Sequence, residues 1–154
     1  MTAEVGLRTE SCRIATTPDE LLAHHVVRHA VFVVEQRVFD DSDIDAHDAS
    51  PATLHVVGTV DGQVAGTVRL YARDGGEWRG DRLAVLPDHR TGRLGGTLVR
   101  FAVATAAAHG GDRMTAMVQQ ANELFFRRLG WHPTGPPVDY VGLPHVPMEI
   151  TFSA

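Results

Sequence analysis

Arg90-Thr91-Gly92-Arg93-Leu94-Gly95-Gly96 joins glycines and two guanidinium groups to the start of an apolar repeat with helical spacing. A glycine-rich turn entering a helix aims several backbone amides at one point, and the positive helix end adds to their pull on a diphosphate. The same glycines also serve a tight strand-to-helix turn with no ligand. The Gly-Lys-Ser/Thr ending of a nucleotide phosphate loop and the six-residue glycine fingerprint of dinucleotide folds are both missing. Two side chains elsewhere have the chemistry of a proton acceptor. Glu35 closes the apolar run Phe32-Val33-Val34, where partial desolvation raises a carboxylate toward a useful range, although a structural ion pair suits it equally. His145 offers an imidazole that titrates near neutrality, or a hydrogen-bonded core histidine. Cys12, the only cysteine, has no neighbouring base and reads as a small buried hydrophobe; alone it makes neither a disulfide within the chain nor a cysteine-based zinc site.

The acidic run 40–48 lacks the glycine and closing glutamate of a calcium loop, so no metal is expected. Asp43 and Asp45 would attract a cationic amine or simply face solvent, whereas Arg69 and Arg82, on adjoining strands, suit an acidic acceptor group. These two pairs point to opposite substrates.

The elements that must position these groups follow from periodicity. Residues 11–15 suit a first strand, and Pro18-Asp19-Glu20 opens a helix running toward Glu35, since proline and acids favour the first turn. Residues 40–48 read as a loop. Residues 55–60 and 63–71 are β-branched runs around Asp61-Gly62, a two-residue hairpin turn. Residues 78–86 form a strand stopped by Pro87, and a helix from Leu94 to His109 ends at Gly110-Gly111. A buried strand at 114–118, a short helix at 121–129 and further strands from Trp131 complete an α/β (α+β) sheet with packed helices.

The 154 residues, 44% hydrophobic and 21% charged, suit a single domain over 1–154. The net charge of −5 argues against a general nucleic-acid or anionic-membrane binder. No basic start leads into an apolar run, and no apolar stretch is long enough to span a membrane, so a soluble, cytoplasmic protein is expected. All 14 basic residues are Arg and none is Lys.

Residues 82–99, centred on the loop, resemble the strand and CoA-diphosphate loop of the GNAT superfamily of acyl-CoA-dependent N-acetyltransferases. In its Q/R-x-x-G-x-G/A pattern, Arg90 and Gly95 match and Arg93 stands at the middle glycine. Residues 122–131 resemble that superfamily's later helix and following strand. Arg28-His29-Ala30-Val31-Phe32-Val33-Val34-Glu35-Gln36, Asp43-Ile44-Asp45 and Gly142-Leu143-Pro144-His145-Val146-Pro147-Met148 look like the ElaA-type branch and related bacterial N-acetyltransferases associated with nitrogen starvation. The beginning of this pattern is also similar to acyl-homoserine-lactone synthases.

The resemblance implies a mixed, twisted sheet of about six to seven strands, in which the strand ending at Val85 and the strand ending near Gln119 splay apart. Pantetheine would lie in that V on backbone groups of Leu83 and Val85, with the diphosphate on Arg90, Thr91, Gly92, Arg93, Leu94, Gly95 and Gly96. Asn122, Phe125 and Phe126 would flank the arm, and Phe32 the acceptor. The implied reaction is attack by a small-molecule amine on acetyl-CoA; a homodimer is one option for assembly. An alkyl amine is only about one part in a thousand neutral near pH 7.4, a cost of roughly 4 kcal/mol, so a base is needed. Glu35 is the first candidate and His145 the second. Phe126 stands where many relatives carry a tyrosine that protonates the departing thiolate, which leaves two options: Tyr140 substitutes from the C-terminal arm, or the thiolate leaves towards water. Two rival readings remain: transfer of a longer acyl chain, which a wider acyl pocket would distinguish, and a non-catalytic acyl-CoA sensor, motivated by Arg93 and Phe126.

Overall fold

A computed structural model describes residues 9–153. The chain runs β1 (Glu10–Ile14), α1 (Pro18–Arg28), a π-helical segment (His29–Glu35), α2 (Ala46–Ala49), β2 (Leu54–Val60), β3 (Gln63–Ala72), β4 (Glu77–Val85), α3 (Leu94–Ala108), β5 (Arg113–Gln119), α4 (Glu123–Arg128), β6 (His132–Pro133), β7 (Val138–Tyr140) and β8 (Leu143–Thr151). Thr17 and Glu20 cap the start of α1 reciprocally. Asp61 and Gly62 both take positive φ, 51° and 85°, and close the β2–β3 hairpin. Two local expectations need correction. The first helix passes into π geometry rather than continuing as α to Glu35, and the acidic loop contains the short helix α2, capped by Asp45.

The strands form one mixed sheet in the order β1-β2-β3-β4-β5-β8-β6, with β7 also on β8. Neighbours are antiparallel except β4 and β5, which run parallel and pair only at Glu77–Arg113, Trp78–Met114 and Arg79–Thr115. Beyond Arg79 the two strands diverge, while β5 stays paired to β8 as far as Gln119 with His145. The expected V is present, and its β4 side has an unpaired backbone edge.

One face of the sheet packs on α3 through Leu94, Leu98, Val99, Ala102 and Ala106; the other carries Val27, Val31 and Phe32 against Ala84. The opposed pair Gly58 and Gly66 sets how closely α3 sits. A Cβ on Gly58 would lie 2.8 Å from Leu94 Cδ1, and one on Gly66 would lie 2.9 Å from Leu98 Cδ1. The absence of two side chains thus lowers the start of α3 onto the sheet beside the V. Among the described residues, no helix is long and apolar enough to cross a membrane.

A bulge in β4 opposes three β3 residues, Thr67 to Arg69, with the four from Asp81 to Ala84. Arg82 sits in it with φ 53°, an uncommon conformation for a side-chain-bearing residue. A buried ionic network pins it there. Arg69 donates to both oxygens of Asp45 (2.7 and 2.9 Å) and to both of Asp81 (2.7 Å each). Arg28 donates to Asp43 (2.7 Å) and to both oxygens of Asp48 (2.7 and 3.0 Å). Arg82 donates to the Asp43 carbonyl at 2.8 Å and to Asp45 at 3.3 Å. The acids and arginines that suggested opposite substrates therefore bind each other. Asp43, Asp45 and Arg69 are corrected from acceptor-binding to structural residues: Asp43 and Arg69 are buried and paired, and the carboxylate of half-buried Asp45 is taken up by Arg69 and Arg82, which leaves little capacity for a ligand.

Arg28→Ala, which takes from buried Asp43 and Asp48 their shortest ion pairs, should cost about 3–5 kcal/mol in urea unfolding. Burial alone would raise the Asp48 carboxyl, but hydrogen bonds from Arg28, His55 and the Asp45 amide hold it far below the ordinary range. Its stabilisation is therefore fully present above the unfolded value of about 3.9 and is lost progressively as pH falls below that value. Denaturant midpoints should drop below pH 4 in the wild type.

Candidate active site

The V opens into an outer groove and an inner cavity that share Gln36, Leu83, Gln119 and Asn122. The outer groove runs along Leu83, Ala84 and Val85 to the turn before α3, where Gly92, Gly95 and Gly96 contribute no side chain to its lining. Arg90, Arg93, Arg100 and Arg128 also line it. Arg93 has a φ of −103°, so its backbone does not need a glycine, and the residue is exposed. A glycine-rich helix entry among four guanidinium groups fits the diphosphate of a CoA thioester. Phe125 closes the groove near Gly95, whose added Cβ would lie 3.6 Å from its ring. Arg100, one turn of α3 after Gly96, was within reach of the helical spacing but was not singled out, whereas only tertiary packing brings Arg128 to the groove. Two loop residues lie elsewhere: Leu94 is fully buried under the sheet, and Thr91, exposed, does not line the groove.

Two carboxylates hold the groove's positive groups. Glu35 takes Arg90 in a forked pair at 2.5 and 2.6 Å, while Arg90 Nε also donates to the Val85 carbonyl at 2.9 Å. Glu10 reaches from β1 to accept the Arg93 amide at 3.1 Å. The missing side chain at Gly92 makes room for it, since a Cβ there would sit 2.6 Å from Glu10 Oε2. The Arg90 hydrogen bonds hold the Glu35 carboxyl below its ordinary value, the opposite of what a general base requires. Glu35 also lies outside the inner cavity lining, so the geometry gives it the ion-pair role.

Phe32, Gln36, Phe39, Asp81 and Arg82 from one side of the inner cavity face Gln119, Asn122, Tyr140 and His145 from the other. Gln119 donates to Gln36 Oε1 at 2.9 Å across the junction with the groove; neither glutamine was singled out by its sequence context. His145 is 4% exposed and its Nδ1 lies 2.9 Å from the Leu143 carbonyl. A carbonyl only accepts, so Nδ1 is the donor to it, and in the neutral ring this tautomer leaves Nε2 as the acceptor. Tyr140 stands edge-on to that ring, 5.1 Å between centroids. Phe126 is buried against Trp131 and has no proton to give. Burial pushes the Cys12 thiol up to about 11, in keeping with a packing role.

The acetyltransferase (GNAT) domain family matches residues 24–152. The chain belongs to the GNAT acetyltransferase family. It is an acyltransferase, similar in structure to ElaA from Escherichia coli (24% identity, TM-score 0.80, covering 93% of this chain and 99% of that one). It is also similar to an acyl-CoA N-acyltransferase from Pseudomonas aeruginosa (26% identity, TM-score 0.78, 93% and 99% covered). A third similar structure is the CoA-dependent acyl-homoserine lactone synthase BjaI with SAM and isopentyl-CoA (19% identity, TM-score 0.75, 94% and 83% covered). In this GNAT enzyme, His25, Asp48 and His55 bring possible metal-ligating atoms within 4.8 Å. Asp48 is already engaged there by Arg28, Arg69 and His55, which makes the cluster part of the ionic network.

Glu35→Gln and Glu10→Gln each remove a negative charge from this groove. Isothermal calorimetry should show each tightening acetyl-CoA by about two- to five-fold, the scale of an exposed ion pair. Arg90→Ala should weaken it.

Proposed function

We propose that this GNAT enzyme transfers the acyl group of an acyl-CoA directly to the amine of a small molecule, within a ternary complex. Acetyl-CoA is the donor the reading starts from. The observation that carries the reading is His145, held through Nδ1 by the Leu143 carbonyl and lining a cavity that shares Gln36, Leu83, Gln119 and Asn122 with the diphosphate groove. A nucleophilic amine must shed its proton, and an imidazole held in this tautomer can take it. The enclosed, partly polar cavity suits a small acceptor better than a protein surface.

In this reading, the unpaired edge of β4 at Leu83 and Val85 orients the pantetheine arm, and a β4 amide stabilises the charge that develops on the thioester oxygen. Asn122, at the junction, holds the arm further along. His145 receives the proton from the amine. Tyr140, beside His145, supplies one to the departing thiolate, the task Phe126 cannot perform. A thiol pKa near 8.5 makes that thiolate a tolerable leaving group, so Tyr140 contributes less than His145. Phe32 and Arg82 line the acceptor side, with Arg82 held by Asp43 and Asp45.

Thiol release from acetyl-CoA over an amine panel tests the activity. With an amine that is turned over, His145→Ala should lower kcat by about 100-fold or more while leaving the calorimetric Kd for acetyl-CoA near wild type. Tyr140→Phe should have the smaller effect. Full activity in His145→Ala would remove the histidine from the mechanism.

A further inference from the structure

The thioester of a bound acyl-CoA has to lie where the two chambers meet, since its diphosphate belongs to the outer groove and the proton acceptor to the inner cavity. Among the described residues, only Gln36, Leu83, Gln119 and Asn122 line both. Two of these touch: Gln119 Nε2 donates to Gln36 Oε1 at 2.9 Å. Each is held through its backbone. The Gln36 amide donates to the Val31 carbonyl at 2.8 Å where the π-helical segment ends, and Gln119 closes β5 directly opposite His145 of β8. Opposed residues of antiparallel strands carry their Cβ atoms about 4.5–5.5 Å apart on one face, so Gln119 stands beside the imidazole. The linked glutamines therefore sit where the amine and the acyl group must meet.

The same bond orients the side chain of Gln36. A glutamine amide has an accepting oxygen and two N–H donors on its nitrogen. With Oε1 turned to Gln119, Nε2 keeps both hydrogens and has no partner among the described residues. It is not sealed off either. Among the described residues, the fully buried side-chain nitrogens or oxygens without a partner are Nδ1 of His24 and Nδ1 of His25, so Gln36 Nε2 opens onto accessible space. A fixed, neutral donor at the junction suits an oxygen that gains negative charge there.

We infer that Gln36 is a catalytic residue, its Nε2 donating to the acyl oxygen of the thioester alongside the β4 amide, and that Gln119 is the positioning residue that aims it. The inference rests on the acyl-transfer reading above. As the amine nitrogen bonds to the acyl carbon, the carbonyl π pair moves onto oxygen, and Gln36 holds that charge without giving up a proton. The proton of the amine goes to His145. When the pair returns, the carbon–sulfur bond breaks and the thiolate leaves with the bonding electrons, to be protonated by Tyr140.

The isotope-edited infrared carbonyl stretch of bound acetyl-CoA tests the contact without an acceptor. It should lie at lower frequency in the wild type than in Gln36→Leu or Gln36→Glu. The glutamate variant keeps the oxygen that accepts from Gln119 and removes the donor, so a merely structural tether survives in it. With an amine that is turned over, both variants should lose about 100-fold or more in kcat, while Gln36→Leu keeps the wild-type Kd for free CoA. Wild-type kcat in Gln36→Glu overturns the catalytic role. Gln119→Leu should lower kcat less and cost nothing further when combined with Gln36→Leu, because it acts through Gln36; multiplied losses overturn the positioning role. An identical carbonyl stretch in the wild type and the Gln36 variants overturns the inference and leaves the acyl-transfer reading standing. No saturable acetyl-CoA binding by the wild type overturns both. Should neither Gln36 variant fold, Gln119→Leu decides: its carbonyl stretch should rise, and an unchanged stretch overturns the inference.

Discussion

A charged network built on three buried arginines keeps β4 bent, and the site depends on that bend. Arg28, Arg69 and Arg82 meet Asp43, Asp45, Asp48 and Asp81, groups too costly to bury unless nearly every charge finds a partner. Satisfying them draws the segment carrying Asp43 and Asp45 onto the α1 face and sets Asp81 and Arg82, successive residues, into the same network through the bulge. With β4 held toward that face and β5 held by β8, the two parallel strands cannot stay paired. The unpaired edge that results is a structural consequence before it is a binding surface. Hydrophobic packing alone would not specify the bulge so narrowly, because apolar side chains tolerate shifts that forked hydrogen bonds do not.

The π-helical segment places the opposite wall. Its wider turn, with the Gln36 amide reaching back to the Val31 carbonyl at 2.8 Å, buries Val31 and Phe32 side by side and then sends Glu35 and Gln36 to different places, one to the diphosphate loop and one to the junction. A regular α-helix spaces neighbours differently. Insertions of this kind recur at functional sites because they re-aim side chains without ending the helix.

The parts of the fold legible in the sequence were those decided by local chemistry. The Asp61-Gly62 hairpin, the Pro18 helix start and the strand-loop-helix around Arg90 follow from turn preferences and periodicity, which act over a few residues. His145 was legible as a titratable group, though its tautomer depends on a carbonyl two residues away in a particular turn. Glu35 shows the limit. Its apolar run indicated desolvation, but its partner lies 55 residues on, and an ion pair reverses the effect of the same carboxyl. Asp43, Asp45 and Arg69 misled for the same reason: their types reveal charge, and only tertiary pairing reveals whether that charge is spent. Gln36 and Gln119, remote in sequence and unremarkable in type, acquire meaning only by meeting.

The four arginines around the groove also bear on the enzyme's own chemical safety. A thioester held for attack is reactive toward any neutral amine within reach, and a lysine beside it would spend a small fraction of its time neutral. A guanidinium stays protonated at every physiological pH, so it attracts phosphate without becoming a nucleophile. In a chain that contains no lysine at all, no side-chain amine competes with the intended acceptor or is lost to self-acylation.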